Sequence, residues 1–177
     1  MLHPDYRFCP RCAQPLVPGV LSGRERSLCR ECGFTHWNNP APVVAALVQV
    51  GDEILLARNA AWPPKTFALI TGFLEAGETP EQGIAREIKE ETDLDVQSLS
   101  LIGVYDFVRK NELIIAYHTI ATGRVTLSEE LVEYRMLAPE RLKPWRAGTG
   151  LAVADWMRAR GLPVEFVDLP RRTGDRG

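Results

Sequence analysis

Glu87, Glu90 and Glu91 stand at positions i, i+3 and i+4. On a helix that spacing puts three carboxylates within an arc of about 100°, where they repel one another unless a cation sits among them. A hard divalent ion such as Mg²⁺ or Mn²⁺ meets the need, since it takes carboxylate oxygens together with waters and the phosphate oxygens of a ligand. A solvated acidic face has the same pattern, so the surroundings must decide. The second chemistry-bearing group is Cys9-Pro-Arg-Cys12 and Cys29-Arg-Glu-Cys32, which hold all four cysteines of the chain. Two C-x2-C knuckles offer four thiolates at the corners of a tetrahedron, the donor set of a structural Zn²⁺. A redox C-x-x-C fits less well, because there are two pairs and neither has a strand–helix frame. Four ligands leave no open coordination position, so this metal is expected to fold its segment rather than do chemistry.

The acidic triplet needs a helix to present it, and residues 79–93 carry the punctuation of one. Thr79 is a suitable N-cap, Pro80 sits where its missing N–H costs nothing, and Gln82 completes a T-x-x-Q capping box. Ile84, Ala85 and Ile88 mark the buried stripe, and Asp93 the stop. Ahead of the helix, 43–50 (VVAALVQV) reads as a central buried strand, with 53–58 returning as its hairpin partner. A short strand at 67–71 delivers the chain to Gly72. Beyond the helix, 96–109 reads as a long strand or a pair broken near Gly103, followed by strands at 112–122 and 131–137. A helical turn is expected at 139–142. A second helix, 150–160, should turn Leu151, Val153, Ala154 and Met157 inward. The expected organisation is a zinc-stabilised ribbon at 1–38, a main domain at 39–162 and a tail at 163–177 whose last residues, 169–177, have nothing to bury. The fold class is α+β, an α/β/α sandwich with a small N-terminal ribbon.

Gly72, Glu78 and the run Arg86-Glu87-Ile88-Lys89-Glu90-Glu91-Thr92-Asp93-Leu94 resemble the signature box of the Nudix hydrolases, G-x5-E-x7-R-E-U-x-E-E-x-G-U, with U a bulky aliphatic residue. Eight of nine specified positions agree; the family has glycine where this chain has Asp93. Asp tolerates the left-handed conformation a glycine would take there. The resemblance implies hydrolysis of a nucleoside diphosphate linked to a further group. Glu87, Glu90 and Glu91 would bind Mg²⁺ or Mn²⁺, with Glu87 the first choice for general base. Arg86 and Glu78 would pair with each other or with Glu87 and steady the cluster. The main-chain carbonyl of Thr71 is implied as a further metal ligand. Among Glu129, Glu130 and Glu133, Glu130 is the choice for another.

The ribbon joined to such a domain is similar to the NADH pyrophosphatase branch of the family, but the branch's SQPWPFPxS segment is missing. The region reads Gly103-Val104-Tyr105-Asp106-Phe107-Val108 instead. NADH, ADP-ribose and FAD therefore stay open as substrates. Phe73, Tyr105 and Phe107 are the candidate contacts to the substrate, with core packing the competing role for one or both of the last two. Trp62 either stacks on a base or covers core. His3, His36 and His118 are scattered, and His118, in a strand, reads as structural.

Composition bounds the rest. With 177 residues, 45% apolar and 25% charged, the chain has the make-up of a globular domain with a small appendage. A net charge of −2 gives no ground for a nucleic-acid-coating or membrane-surface protein. No apolar run approaches a membrane span or a signal-peptide core, so a cytoplasmic, reducing compartment is the expectation. A homodimer is expected from the resemblance. Two other functions compete with cleavage of an ADP-linked compound. One is nucleoside triphosphate pyrophosphohydrolysis. The other is a nucleic-acid- or protein-binding ribbon on an idle body, for which Arg7, Arg11, Arg24, Arg26 and Arg30 would supply the charge.

Overall fold

In the computed structural model, which describes residues 6–168, the chain divides at Pro40/Ala41 into two compact units. The first carries a three-stranded antiparallel sheet, β1 (Val17–Leu21), β2 (Arg24–Leu28) and β3 (Thr35–His36). Its small core is Leu16 with Cys9 and Cys29, against which Cys12 and Phe34 pack.

The second unit is built on β4 (Ala41–Val50). Successive side chains of a strand point to opposite faces, and here both faces are covered. Val44, Ala46 and Val48 belong to one core cluster, with Ile84 and Ile88 of α1 (Pro80–Thr92). Ala45 packs with Ala152, and Leu47 with Val153, Trp156 and Met157, all on α2 (Thr149–Ala159). This is why the run is apolar without alternation. Around β4 stand β5 (Glu53–Asn59), which returns as the hairpin partner, β6 (Ile70–Phe73), also antiparallel, and β8 (Glu112–Thr122), which is parallel to it from Ala41↔Glu112 to Gln49↔Ile120. β7 (Asp95–Phe107) and β9 (Leu131–Leu137) close the order β7-β8-β4-β5-β9, with β6 on β4. The result is one mixed sheet with a helix packed on each face, the α/β/α sandwich expected.

Two details differ from the sequence reading, and one alternative that it left open is decided. The strand before the helix is Ile70–Phe73, so Gly72 lies inside the ladder, opposite Val44, rather than ending it. Of the two readings offered for 96–109, the long strand holds: β7 runs through Gly103, which pairs with Ala116, and a register shift falls beside it at Ile102. On α2, Leu151 is half-buried, whereas Ala152 and Trp156 are buried beside Val153, Ala154 and Met157, so the inward stripe is wider than the one read from apolar spacing. Beyond α2, Leu162 and Val164 pack on its cluster, and Val167 donates its N–H to Pro144 O at 2.8 Å. Residues 169–177, expected to fray, lie outside the described residues, as does His3.

His118 is buried on β8, its Nε2 2.9 Å from Gln49 Oε1 and its ring 5.4 Å from that of Trp156. Burial, with the charge of Arg160 adding to it, holds the imidazole down at about 4. An unfolded histidine titrates near 6.5, so between these values the folded chain binds fewer protons than the unfolded one. The fold is therefore unpenalised by His118 above about pH 6.5 and loses stability as pH falls from there to about 4. Accordingly, the Tm advantage of wild type over His118→Gln should shrink between about pH 7.5 and about pH 5 in thermal melts. An advantage constant across that range would contradict the assignment.

Candidate active site and cysteine cluster

The capping box on α1 is formed in both directions: Gln82 N donates to Thr79 Oγ1 at 3.3 Å, and Thr79 N to Gln82 Oε1 at 2.9 Å. At the other end Asp93 takes φ 57°, ψ 16° and donates its N–H to Lys89 O, the left-handed stop that glycine would also provide. Its carboxylate lies 2.7 Å from Lys89 Nζ at the surface. The helix is thus held at both termini, and one of its faces presents the acidic group.

Arg86 is the hub of that group. Its guanidinium grips Glu78 with two bonds, Nε–Oε2 at 3.1 Å and an Nη–Oε1 contact at 2.8 Å. It also donates to Glu87 Oε1 at 2.8 Å, to Glu90 Oε2 at 3.1 Å and to Phe73 O at 3.2 Å. Hydrogen bonds from Arg86, then from the Glu75 N–H, hold the Glu78 carboxyl below its ordinary range. The expected pairing of Arg86 with Glu78 or Glu87 is found with both at once. Three of the carboxylates therefore share one tethered cation.

Glu91 is different. Among the described residues no hydrogen-bond or ion-pair partner reaches its carboxyl. Burial pushes it up to about 7, helped by the negative charges of Glu87, Glu130 and Glu90. Glu130 comes close because the loop before β9 is laced to the end of α1: Thr126 N donates to Thr92 O at 2.9 Å and Ser128 N to Glu91 O at 3.1 Å. Ala60 N in turn holds Glu130 O at 2.9 Å. A half-buried carboxyl facing other carboxylates, without a protein cation of its own, is a fitting place for a divalent ion. Of the neighbouring glutamates, Glu133 pairs with Arg58 at 3.3 Å instead.

Gly72 explains its own identity. A Cβ built there would fall 1.9 Å from the Glu87 carboxyl carbon and 2.0 Å from Oε1. The offending atoms end a flexible side chain, so Gly72→Ala should displace the carboxylate more than it disturbs the ladder. A displacement of about 1 Å can cost about 10²-fold in rate. Gly72→Ala is expected to lose activity on that scale with Tm nearly unchanged; full activity would show that Glu87 need not sit there.

The substrate candidates are placed apart. Phe73 is exposed and contributes its carbonyl to Arg86. Tyr105 sits under α2, its hydroxyl donating to Asp155 Oδ2 at 3.0 Å. Phe107, Trp62 and Thr71 line a cavity of about 710 Å³. That cavity also takes in Trp145 and Arg146, which sequence reasoning missed. Their one signal is the Pro-Trp-Arg run just before a glycine-bounded helix start.

In the N-terminal unit the ligand atoms of Cys9, Cys12, Cys29 and Cys32 all lie within 4.8 Å of one another. Cys9 and Cys32 sulfurs are 3.4 Å apart, Cys12 and Cys29 sulfurs 3.5 Å, and none is in a disulfide. Thiolates about 2.3 Å from a tetrahedral zinc stand about 3.8 Å from each other. Each knuckle ends alike, with Ala13 at φ 59° and Gly33 at φ 72° donating back to Cys9 O and Cys29 O. The donor set and its spacing fit the ion.

Comparison with known proteins agrees with this geometry. The model of the NUDIX domain family matches residues 39–156. The chain is 31% identical over 130 residues to the NAD-capped RNA hydrolase NudC of Stutzerimonas stutzeri, covering 73% of this chain and 46% of that protein. It is 27% identical over 170 residues to the NAD-capped RNA hydrolase NudC of Pseudomonas putida, covering 94% and 61%. The chain thus spans about half to three-fifths of the length of these curated relatives. Among solved structures, a NUDIX hydrolase from Nitrosomonas europaea superposes with a TM-score of 0.74 at 24% identity, over 93% of this chain and all of that one. Among the described residues no helix is long and apolar enough to cross a membrane.

Proposed function

Because the chain belongs to the NUDIX family, we propose that it is a divalent-metal-dependent pyrophosphohydrolase. Its substrates are ADP-linked compounds of the NADH, ADP-ribose or FAD class, cleaved to AMP and a second phosphate. The observation that carries this reading is Glu91, half-buried against Glu87, Glu90 and Glu130 and without a partner among the described residues, on the helix that also carries the Arg86 hub. The relatives named for NAD-capped RNA support an NAD-type substrate.

Glu87, Glu90, Glu91 and Glu130, with the Thr71 carbonyl, would hold Mg²⁺ or Mn²⁺. Such an ion lowers the pKa of water and offsets charge on the phosphates when bound. Glu87 accepts the proton of the attacking water. Its Oε1 is occupied by Arg86, which leaves Oε2 for that task. The water oxygen bonds to phosphorus as the bridging P–O bond breaks, and the second phosphate departs with the bond's electrons. Arg86 keeps the charges of Glu78, Glu87 and Glu90 tolerable at short range and fixes Glu87 against Gly72. The four cysteines hold structural Zn²⁺, and the enzyme acts as a cytoplasmic homodimer.

The test is turnover of NADH, ADP-ribose, FAD and nucleoside triphosphates with Mg²⁺ or Mn²⁺, with products separated by chromatography. AMP from the first three is expected. Release of inorganic pyrophosphate from triphosphates alone would replace this reading with triphosphate hydrolysis, and no turnover of any would refute both.

A further inference from the structure

Of the residues assigned above to the divalent ion, Glu130 alone lies outside α1 and β6, on the loop before β9. A loop ligand keeps its distance from Glu91 only if its own backbone is held. This loop is pinned in turn to the helix, to the core and to the neighbouring strand. It closes as a turn, Leu131 N donating to Ser128 O at 3.3 Å, while Ser128 N reaches Glu91 O at 3.1 Å. At the start of β9, Asn59 pairs with Leu131 but Arg58 pairs with Glu133, so Val132 is the extra residue of a bulge. Bulges re-aim the chain beside them. Here Leu131 is buried in the core and Val132 is left 47% exposed. The last fixture comes from the end of β5, where Ala60 N donates to Glu130 O at 2.9 Å.

That bond is aimed by Asn59, the final residue of β5. Of the N–H groups that follow it, those of Ala61 and Trp62 turn back. Ala61 N donates to Asn59 Oδ1 at 2.9 Å, and Trp62 N to Asn59 O at 3.0 Å. An Asx turn is thus nested inside a β-turn. The Ala60 N–H is left to reach across to Glu130. Asn59 is half-buried, and among the described residues its side chain makes no other hydrogen bond. Arg58, one residue earlier, takes Glu133 at 3.3 Å, so Glu130 is the loop glutamate whose charge Glu91 feels.

We propose that Asn59 is a positioning residue for the metal site: its side chain fixes the turn carrying the Ala60 N–H, and that N–H sets where Glu130 stands relative to Glu91. The inference rests on the reading of Glu87, Glu90, Glu91 and Glu130 as ligands of Mg²⁺ or Mn²⁺. Asn59 acts on the ion only through Ala60 and Glu130. Groups that orient a metal ligand commonly change affinity by about 10–100-fold when removed. The residue type follows from the turn. A short side chain with an acceptor oxygen closes it, so Asp can replace Asn and Ala cannot.

Binding of Mn²⁺ to the purified protein, followed by loss of the free ion's electron paramagnetic resonance signal, reads the effect without turnover. Asn59→Ala is expected to weaken binding by about ten-fold, while Asn59→Asp stays near wild type. A role in the fold alone would lower Tm in Asn59→Ala and leave the affinity where it was, which overturns the proposal. Binding as weak in Asn59→Asp as in Asn59→Ala overturns it too. Combination with Glu130→Gln isolates the route. Asn59→Ala should cost the Glu130→Gln protein much less affinity than it costs wild type, because the carboxylate it positions is already gone. Equal losses in both backgrounds would show that Asn59 acts elsewhere. Wild-type protein that binds no Mn²⁺ would remove the metal reading together with this role, whereas wild-type affinity in Asn59→Ala removes the role alone.

Discussion

Replacing Glu87 by glutamine is expected to lower kcat by about 10²–10⁴-fold, the range a positioned general base supplies, while the melting temperature moves little. Glutamine keeps the length of the side chain and an oxygen for the Arg86 N–H that Glu87 Oε1 accepts at 2.8 Å. It loses the negative charge and the ability to take a proton. Glu91→Gln should lose activity for a different reason, through weakened divalent binding, and should be partly restored by raising Mg²⁺ or Mn²⁺. It should also make the metal-free protein more stable near neutral pH. The Glu91 carboxyl titrates at about 7 in the fold because burial and three neighbouring carboxylates oppose its charge, and an amide escapes that cost. Activity assays over a metal series, with thermal melts of both variants, read these effects. Wild-type rates in both variants would remove the proposed mechanism.

This contrast between two glutamates one helical turn apart was only half legible in the sequence. Spacing alone put Glu87, Glu90 and Glu91 on one face, and the capping box at Thr79 and Gln82 defined where the helix begins. Both are local properties of consecutive residues. What Arg86 does was less visible, because one guanidinium serving Glu78, Glu87 and Glu90 depends on how the glycine-rich segment before α1 folds back. Gly72 read as the point to which a short strand at 67–71 delivers the chain. Its ladder position, and the reason no side chain fits there, come from the tertiary approach of Glu87. Tyr105 and Phe107 alternate along one strand, yet one is tied to Asp155 under α2 and the other opens onto the cavity. Periodicity assigns a face, and what covers that face is decided by residues 50 positions away.

Emptying the proposed zinc site should have the second large effect, and it should be confined. A structural zinc site contributes about 10–16 kcal/mol of apparent binding energy at neutral pH, far more than the core of Leu16, Phe34 and three cysteine side chains offers. Cys12→Ser, or a strong chelator with a thiol reagent, is therefore expected to unfold residues up to about Pro40 and release one equivalent of metal. The body, with its own core on both faces of β4, should survive as a protease-resistant fragment starting near Ala41. Metal release followed with a colorimetric indicator, and mass spectrometry of the proteolysis products, would test this. An N-terminal unit that stays folded and metal-free would show that the thiols hold no structural ion.

β4 acts as a partition wall between two compartments. Its even-numbered residues from Val44 to Val48 back the acidic helix, while Val43, Ala45 and Leu47 back the helix whose entry rims the cavity. Neighbouring positions on this one strand thus answer to different helices. Enlarging Ala46 would press on the acidic helix through Ile84 and Ile88, whereas enlarging Ala45 would press on α2 at Ala152. Adjacent substitutions on one strand can therefore strain opposite sides of the sheet, each nearly deaf to the other.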